Sequence, residues 1–260
     1  MGQDKIGVCV DMTSASIYKK DYHVDWGDVD FKKELKLSTL FSFFQDASSM
    51  ASEELGFGIE HLQQDFGVAW VLMKIRVDIV RNPKVGETIT IETWPLEPGK
   101  IACDRDFIVR DGDSNILIRA ISSWVIMDMH ERKIKRTSTV PIVYPFGENE
   151  RAIEGKLGKL KVEEPLEVAY QKMIGYSDID FNGHLNNSKY VDYMMDCFQV
   201  EEHQKYKVKS IEVHFTNEAF PGEVMALQKV MVGQEEVYIE GKNDQSEKVI
   251  FKSKLIIEEV

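Results

Sequence analysis

Residues 178–196 read DIDFNGHLNNSKYVDYMMD, and residues 28–46 read DVDFKKELKLSTLFSFFQD. The two stretches align without a gap, because each opens with Asp-x-Asp-Phe and continues with similar residues at the same positions. The matched pairs are Leu35/Leu185, Ser38/Ser188, Leu40/Tyr190, Phe41/Val191, Phe43/Tyr193 and Asp46/Asp196. A shared apolar register of this length, following a shared motif, indicates a duplication.

A second match lies further along each copy. Val77-x-Ile79 corresponds to Val213-x-Phe215, and Gly86-Glu87 corresponds to Gly222-Glu223. Both copies therefore run in the same order: an Asp-x-Asp-Phe turn, a helix, a strand, and a Gly-Glu turn into further strands. A long period that occurs twice is typical of a duplicated domain, whereas a solenoid needs three or more repeats.

Within each copy, the apolar spacing predicts one helix followed by several strands. The first helix spans 38–55 with Ser38 as its N-cap, and the second starts near Asn187. The apolar stripes are Leu40, Phe41, Phe44, Ala47 and Met50-Ala51 in the first, and Tyr190, Val191, Met194, Met195 and Phe198 in the second. The predicted strands are 69–80, 87–94, 102–110 and 116–128, then 208–216, 223–232, 235–241 and 248–258. A helix followed by an antiparallel run of strands predicts an α+β fold with the sheet wrapped around the helix.

Composition and charge exclude several classes of protein. The chain has 260 residues and a net charge of −12, which argues against a general nucleic-acid binder. No apolar run approaches the roughly 18 residues of a membrane helix, and the acidic N-terminal stretch does not read as a signal peptide, so we expect a cytoplasmic protein without a membrane span. The three dispersed cysteines, Cys9, Cys103 and Cys197, form neither a disulfide framework nor a metal motif. Cys197 is expected to be a core residue.

The duplication also predicts domain boundaries. Residues 1–140 form the first unit and residues 169–260 the second. Between them, residues 141–168 hold three of the seven prolines and are predicted to be a linker.

Comparison of the two copies points to one reactive site, in the second. Asp180 aligns with Asp30, but Asn182 and His184 align with Lys32 and Glu34, which are different residue types. A carboxylate can attack a carbonyl or activate water, an imidazole can orient water or protonate a leaving group, and a carboxamide can donate to an oxyanion. These residue types suit acyl transfer to water.

At the second match, Glu218 corresponds to Asn82 and supplies a further carboxylate. Structural interpretations of the same residues remain open. The Asp-x-Asn-x-His run can equally be an Asx turn, Asn186-Asn187 can be helix N-caps, and Glu218 can be a surface carboxylate.

The run SDIDFNGHLNNSKYVDYMMD (177–196) resembles the signature of the acyl-acyl carrier protein thioesterases, the plant-type family with bacterial members. The first helix region, VGETITIETWP (85–95) and IRAISSWVIMDMHERKIKR (118–136) resemble further parts of that family. The resemblance implies tandem hot-dog domains and hydrolysis of fatty acyl thioesters on acyl carrier protein. The sequence contains no metal, nucleotide or flavin signature, so we expect no cofactor or metal. It assigns catalytic roles to Asp180, Asn182, His184 and Glu218.

One residue departs from the family pattern. Plant members commonly carry a cysteine after the catalytic glutamate, whereas this chain has Ala219, which removes a Cys-His mechanism. Whether Asp180 or Glu218 is the key carboxylate stays open.

We predict that the first copy builds much of the acyl pocket and supplies no chemistry. We expect an acyl pocket lined by Phe41, Phe44, Trp70 and Met73, although plain core packing would also explain these residues. An acidic carrier protein would be repelled by so acidic an enzyme, so its docking needs a local basic surface on the enzyme. The first candidate surface is Arg132, Lys133, Lys135 and Arg136, and the second is Lys32, Lys33 and Lys36.

Two other functions compete with this interpretation. One is an acyl-CoA thioesterase of the hot-dog superfamily, and the other is a non-catalytic sensor of acyl thioesters. Acyl chain length depends on how the pocket packs, and the sequence leaves a homodimer open.

Overall fold

The structure is a computed structural model that describes residues 17–141 and 150–260. Cys9 and residues 142–149 of the predicted linker lie outside the described residues. The elements of the first half are β1 (Tyr18–His23), α1 (Leu37–Glu54), α2 (Ile59–Phe66), β2 (Val68–Ile79), β3 (Thr88–Pro95), β4 (Ala102–Arg110), β5 (Ile116–Asp128) and β6 (Ile134–Lys135). Those of the second half are β7 (Glu167–Met173), α3 (Asn187–Met195), α4 (Val200–Lys205), β8 (Tyr206–Phe215), β9 (Val224–Val232), β10 (Glu236–Asn243) and β11 (Val249–Glu259).

All the strands join one antiparallel sheet. Its order is β1-β3-β4-β5-β2-β8-β11-β10-β9-β7, with β6 paired to β5, so the second half repeats the order of the first in reverse. The halves meet where β2 pairs with β8, from Lys74 opposite His214 to Asp78 opposite Ser210. Equivalent strands therefore pair with each other at the centre. This arrangement confirms the predicted α+β double hot-dog architecture.

The two central helices pack against each other inside this sheet. The buried face of α1 includes Leu40, Phe41 and Phe44, which return to one side at helical spacing. Met50, which we placed on the same stripe, is 44% exposed. The main hydrophobic cluster combines these helix faces with strand residues from both halves, so the two copies share one core.

The helix termini differ from our prediction. The predicted N-cap, Ser38, lies inside the first turn of α1, because the N-cap position is held by Lys36 without a side-chain cap. In the second copy, Asn186 is a true N-cap whose side chain accepts a hydrogen bond from the Ser188 backbone N–H at 2.9 Å. Helix α3 ends at Met195 after nine residues, half the length of α1, and Phe198 lies beyond it.

Some elements were not predicted from the sequence. The strands β1 and β7 lie at the two ends of the sheet, where only one neighbour pairs with them and burial is incomplete. Their apolar alternation is correspondingly weak. Helix α2 buries only Leu62, within a small cluster that includes Val68 and Ile126, so it lacks a broad apolar stripe.

Residues 151–153 of the predicted linker pack on the first half. Ala152 and Ile153 are buried against Trp94 and Ile121. The carboxylate of the fully buried Asp106 accepts hydrogen bonds from Ala152 N at 2.7 Å and from the Arg151 guanidinium at 3.0 Å. Burial raises the pKa of Asp106 despite these donors. Strand β7 begins at Glu167, inside the range predicted as linker.

None of the helices in the described ranges combines the length and apolar character needed to cross a membrane.

The central β2–β8 pairing gives a test of stability. Ile211 lies opposite Val77 across this junction, and both side chains are fully buried. We expect Ile211→Ala to lower the free energy of unfolding by about 2 to 5 kcal/mol, because it leaves a cavity between the halves. Urea denaturation followed by circular dichroism measures the change. As a control on the same strand, Lys209→Ala removes only a surface ion pair with Glu258 and should cost less than about 1 kcal/mol. Equal losses in the two variants would contradict a packed junction.

Candidate active site

A tight turn before α3 carries Asp180, Asn182 and His184. Asp180 Oδ1 accepts hydrogen bonds from the backbone N–H of Asn182 at 2.8 Å and of His184 at 3.4 Å. The Asp180 N–H donates to the His184 carbonyl at 2.8 Å, and Gly183 takes the left-handed conformation with φ 77°. Asp180 thus forms an Asx turn that contains Asn182 and His184.

The first copy contains the same turn. Asp30 Oδ1 accepts from Lys32 N at 2.8 Å and from Glu34 N at 3.1 Å, and Asp30 N–H donates to the Glu34 carbonyl at 2.9 Å. Lys33 stands at the position of Gly183 and also has a positive φ, 62°. The local hydrogen bonding of the turn therefore accounts for the aspartate that both copies share, as the Asx-turn interpretation expects. It does not account for Asn182 and His184, which differ between copies.

The turn is fastened to the loop that carries Glu218. Leu185 N–H donates to the Ala219 carbonyl at 3.0 Å, and this bond brings His184 Nδ1 to 3.4 Å from Glu218 Oε1. The Phe220 ring packs edge-on against the His184 ring, with centroids 5.0 Å apart. His184 is therefore held between a carboxylate and an aromatic ring.

The first copy repeats this fastening with different side chains. Leu35 N–H donates to the Pro83 carbonyl at 2.8 Å, and Asn82 Nδ2 donates to Glu34 Oε2 at 3.2 Å. The Glu34–Asn82 hydrogen bond thus occupies the position of the His184–Glu218 contact. The first copy retains the geometry of the pair without an imidazole.

The four predicted catalytic residues line one cleft of about 580 Å³ between the two halves. Trp70 and Met73, predicted for acyl binding, line the same cleft. Phe41 and Phe44 do not reach it, because they lie in the core beside a void of only about 10 Å³. Further lining residues that we did not predict for the site include Tyr190, Asn187, Asn217, Lys248 and Phe220.

A second cleft, of about 380 Å³, adjoins the first and shares Gln45, Trp70, Trp124 and Asn182 with it. The rest of its lining includes serines of α1. Ser48 and Ser52 each donate a hydroxyl hydrogen bond to the backbone carbonyl one turn earlier, at 2.8 and 2.9 Å. Ser42 and Ser49 make the same type of bond, at 3.1 and 2.9 Å. The hydroxyls are therefore satisfied within the helix, and their small side chains leave room for a groove. The serine spacing on α1 was a sequence signal for this groove that we did not use.

Cys103, Cys197 and Tyr190 have raised pKa values. Burial raises the pKa of Cys103 to about 11 and that of Cys197 to about 12, so neither forms appreciable thiolate near neutral pH. The nearest partner of the Cys197 thiol is the Tyr193 carbonyl within its own helix, at 3.4 Å. Burial, together with the charges of Glu218 and Asp180, raises the pKa of Tyr190.

The basic run predicted for carrier docking does not form one uniform surface. The Arg132 guanidinium enters the cleft and donates from Nη2 to Glu218 Oε1. Lys135 is paired with Asp128 at 3.2 Å and with Glu131 at 3.4 Å. Lys133 and Arg136 remain exposed. In the ranges 17–141 and 150–260, no group of three or more His, Cys, Asp or Glu side chains is placed to hold a metal ion.

Comparison with known proteins locates this arrangement in a family. The sequence profile of the acyl-ACP thioesterase N-terminal domain matches residues 15–140, and that of the C-terminal domain matches residues 160–257. A chloroplastic acyl-[acyl-carrier-protein] hydrolase of Cuphea viscosissima is 27% identical over 77% of this chain and 52% of its own length. A chloroplastic oleoyl-acyl carrier protein thioesterase of Coriandrum sativum is 24% identical over 77% of this chain and 59% of its own. The chain thus spans little more than half the length of these curated relatives.

Solved structures cover more of the molecule. An acyl-ACP thioesterase from Bacteroides thetaiotaomicron matches with a TM-score of 0.85 and 26% identity, over 93% of this chain and 98% of that one. The 12:0-ACP thioesterase from Umbellularia californica matches with a TM-score of 0.80 and 19% identity, over 94% and 98%. The latter likeness is one of fold. Both share the tandem arrangement of this chain.

Proposed function

We propose, from the premise that this chain belongs to the acyl-ACP thioesterase family, that it hydrolyses fatty acyl-acyl carrier protein to free fatty acid and carrier protein. The observation that carries the proposal is the His184–Glu218 contact, at 3.4 Å, in a cleft that adjoins a groove along α1. A reacting thioester carbonyl would lie at the contact, and its acyl chain would lie in the groove.

The chemistry needs water activation and stabilisation of an oxyanion. In the proposed step, the oxygen of water attacks the thioester carbonyl carbon while the His184–Glu218 pair accepts the water's proton. Asn182, exposed on the turn, donates its amide hydrogen to the carbonyl oxygen as negative charge develops there. The carbon–sulfur bond then breaks, and the thiolate takes up the proton to leave as a thiol. This route uses no protein thiol, and the high pKa values of Cys103 and Cys197 keep both thiols protonated near neutral pH.

The acyl chain would occupy surface supplied mainly by the first half. Trp70 lines both clefts, and the serines of α1 present little unsatisfied polar surface to a hydrocarbon. Phe41 and Phe44 would then act from behind the groove, by supporting α1. All the groups named here belong to a single chain, so the proposed hydrolysis needs no second copy to complete the site.

The carrier would meet the basic residues that stay exposed near the cleft. Lys133 and Arg136 are exposed, although Lys133 Nζ lies 3.9 Å from Glu131, whereas Lys135 is less exposed and is paired with both Asp128 and Glu131. On a chain of net charge −12, these cations would offset the repulsion of an acidic carrier locally.

Hydrolysis of one acyl chain presented on two carriers tests the function. We expect kcat/KM for an acyl-acyl carrier protein to exceed that for the same acyl group on coenzyme A by at least 10-fold, because the protein carrier presents an extended acidic surface to Lys133 and Arg136, whereas coenzyme A offers only its phosphates. Thiol release and free fatty acid are measured with the purified protein. A preference for coenzyme A would favour the acyl-CoA thioesterase, and tight binding of both without turnover would favour the sensor.

A second experiment tests the location of the chemistry. We expect His184→Ala and Asn182→Ala each to lower kcat by on the order of 10²-fold or more, since each removes a group that acts on the reacting atoms. Steady-state hydrolysis of acyl-acyl carrier protein measures the loss. The control, Asp30→Ala, alters the corresponding turn of the first copy and should leave kcat within a few-fold. Comparable losses in Asp30→Ala and the His184 variant would contradict a single site.

Asp180 holds the turn through its side chain, and the family resemblance also assigns it a catalytic role. The variant Asp180→Asn separates these two roles. Asparagine retains the Oδ1 acceptor for Asn182 N and His184 N but removes the negative charge from the cleft. If the carboxylate takes part in the reaction, kcat should fall by on the order of 10²-fold with an unchanged melting temperature. The control, Asp30→Asn, should leave both quantities near wild type. Retention of kcat in Asp180→Asn would limit Asp180 to the turn and leave Glu218 as the key carboxylate.

A further inference from the structure

The geometry points to Arg132 as a positioning residue for the hydrolysis, through which the first half of the chain holds Glu218 in place. This inference rests on the proposed function. Arg132 Nη2 donates to Glu218 Oε1, the same oxygen that lies 3.4 Å from His184 Nδ1. One carboxylate oxygen from the second half is therefore shared by a cation from the first half and the imidazole of the proposed site.

The backbone that presents Arg132 is firmly anchored. Arg132 N–H donates to the Asp128 carbonyl at 2.9 Å, and its φ of 54° places it in the left-handed region. The Asp128 carboxylate accepts the backbone N–H groups of His130 and Glu131 at 2.9 and 2.7 Å. Met129 N–H donates to the Gly67 carbonyl at 3.0 Å, which ties the turn to the end of α2. The β5–β6 turn thus aims the guanidinium at Glu218 by local bonding.

Glu218 needs an external partner to hold one position. Its side chain is 38% exposed, and it stands on a loop between β8 and β9. A carboxylate on a glutamate side chain can rotate away from an imidazole at 3.4 Å unless a second donor holds it. Because the Arg132–Glu218 pair is itself partly exposed, it should add little to global stability. Its effect should appear in turnover.

This role differs from that of a carrier-docking cation, which we predicted for Arg132 from the sequence. The charge of Arg132 faces Glu218, whereas the side chain of the adjacent Lys133 is 74% exposed. A docking residue changes the KM of carrier-bound substrates alone. A positioning residue changes kcat for every thioester, including one without a carrier protein.

The experiment compares Arg132→Ala, Arg132→Lys and Lys133→Ala on two substrates: acyl-acyl carrier protein and the same acyl group on N-acetylcysteamine, which is small and uncharged. We expect Arg132→Ala to lower kcat at least 10-fold on both substrates. Arg132→Lys should recover part of the loss, because an ammonium still attracts the carboxylate but lacks the planar fork. Lys133→Ala should raise KM for the carrier substrate only. His130→Ala, an exposed residue of the same turn, is the matched control and should match wild type.

A double-mutant cycle with E218Q tests whether Arg132 acts through Glu218. In the E218Q background, the further change Arg132→Ala should lower kcat less than 3-fold, because the carboxylate that Arg132 holds is already gone. A full additional loss there would overturn the inference, as would a KM effect confined to the carrier substrate. Melting temperatures identify variants that fail to fold. If Arg132→Ala fails to fold, the kcat of Arg132→Lys is compared with that of the wild type instead. If the wild-type protein hydrolyses neither substrate, the proposed function fails; if it hydrolyses both and Arg132→Ala equals it, only this inference fails.

Discussion

The pairing of β2 with β8 is the constraint on which the rest of the molecule depends. These are equivalent strands of the two copies. Their antiparallel pairing therefore makes a single sheet in which the strand order of one half is the reverse of the other. It also sets α1 against α3 and merges two small cores into one. A duplicated unit with one apolar helix thereby packs the apolar face of that helix against the sheet and against the helix of the other copy.

The same pairing produces clefts in equivalent places, one for each copy. The cleft of about 580 Å³ contains the turn of the second copy and the start of β2 near Trp70. Its counterpart of about 740 Å³ contains Asp30, Lys32, Asn82 and the start of β8 near Tyr206. Each cleft is thus built from the turn of one copy and a strand of the other. The two clefts differ in the side chains that the two copies place there. One contains the Glu34–Asn82 hydrogen bond, and the other contains the His184–Glu218 contact.

This construction explains why residues of the first half reach the cleft that holds His184 and Glu218. Trp70 and Met73 line the cleft because they lie on β2, the strand that pairs with β8 of the second half. Arg132 enters it because β5, the neighbour of β2, ends in a turn beside the Glu218 loop. The serines of α1 add a groove whose hydroxyls are satisfied by their own helix. The lining of the cleft therefore comes from both halves of the chain, and the sheet keeps these residues in register.

The sequence by itself determined the duplication, the two helices, most strands and the Asp180-Asn182-His184 turn. These features depend on residues close together in the chain: helical spacing, strand alternation and an Asx turn are local, so their pattern is written within one segment. Glu218 was also found from the sequence, because the matched Gly-Glu turns aligned its loop with Asn82. Only the tertiary structure decided that Trp70 faces the cleft while Phe44 packs in the core, and that Arg132 meets Glu218. Those outcomes depend on which faces of distant strands are brought together, and a spacing rule within one element contains no information about the partner that will cover each face.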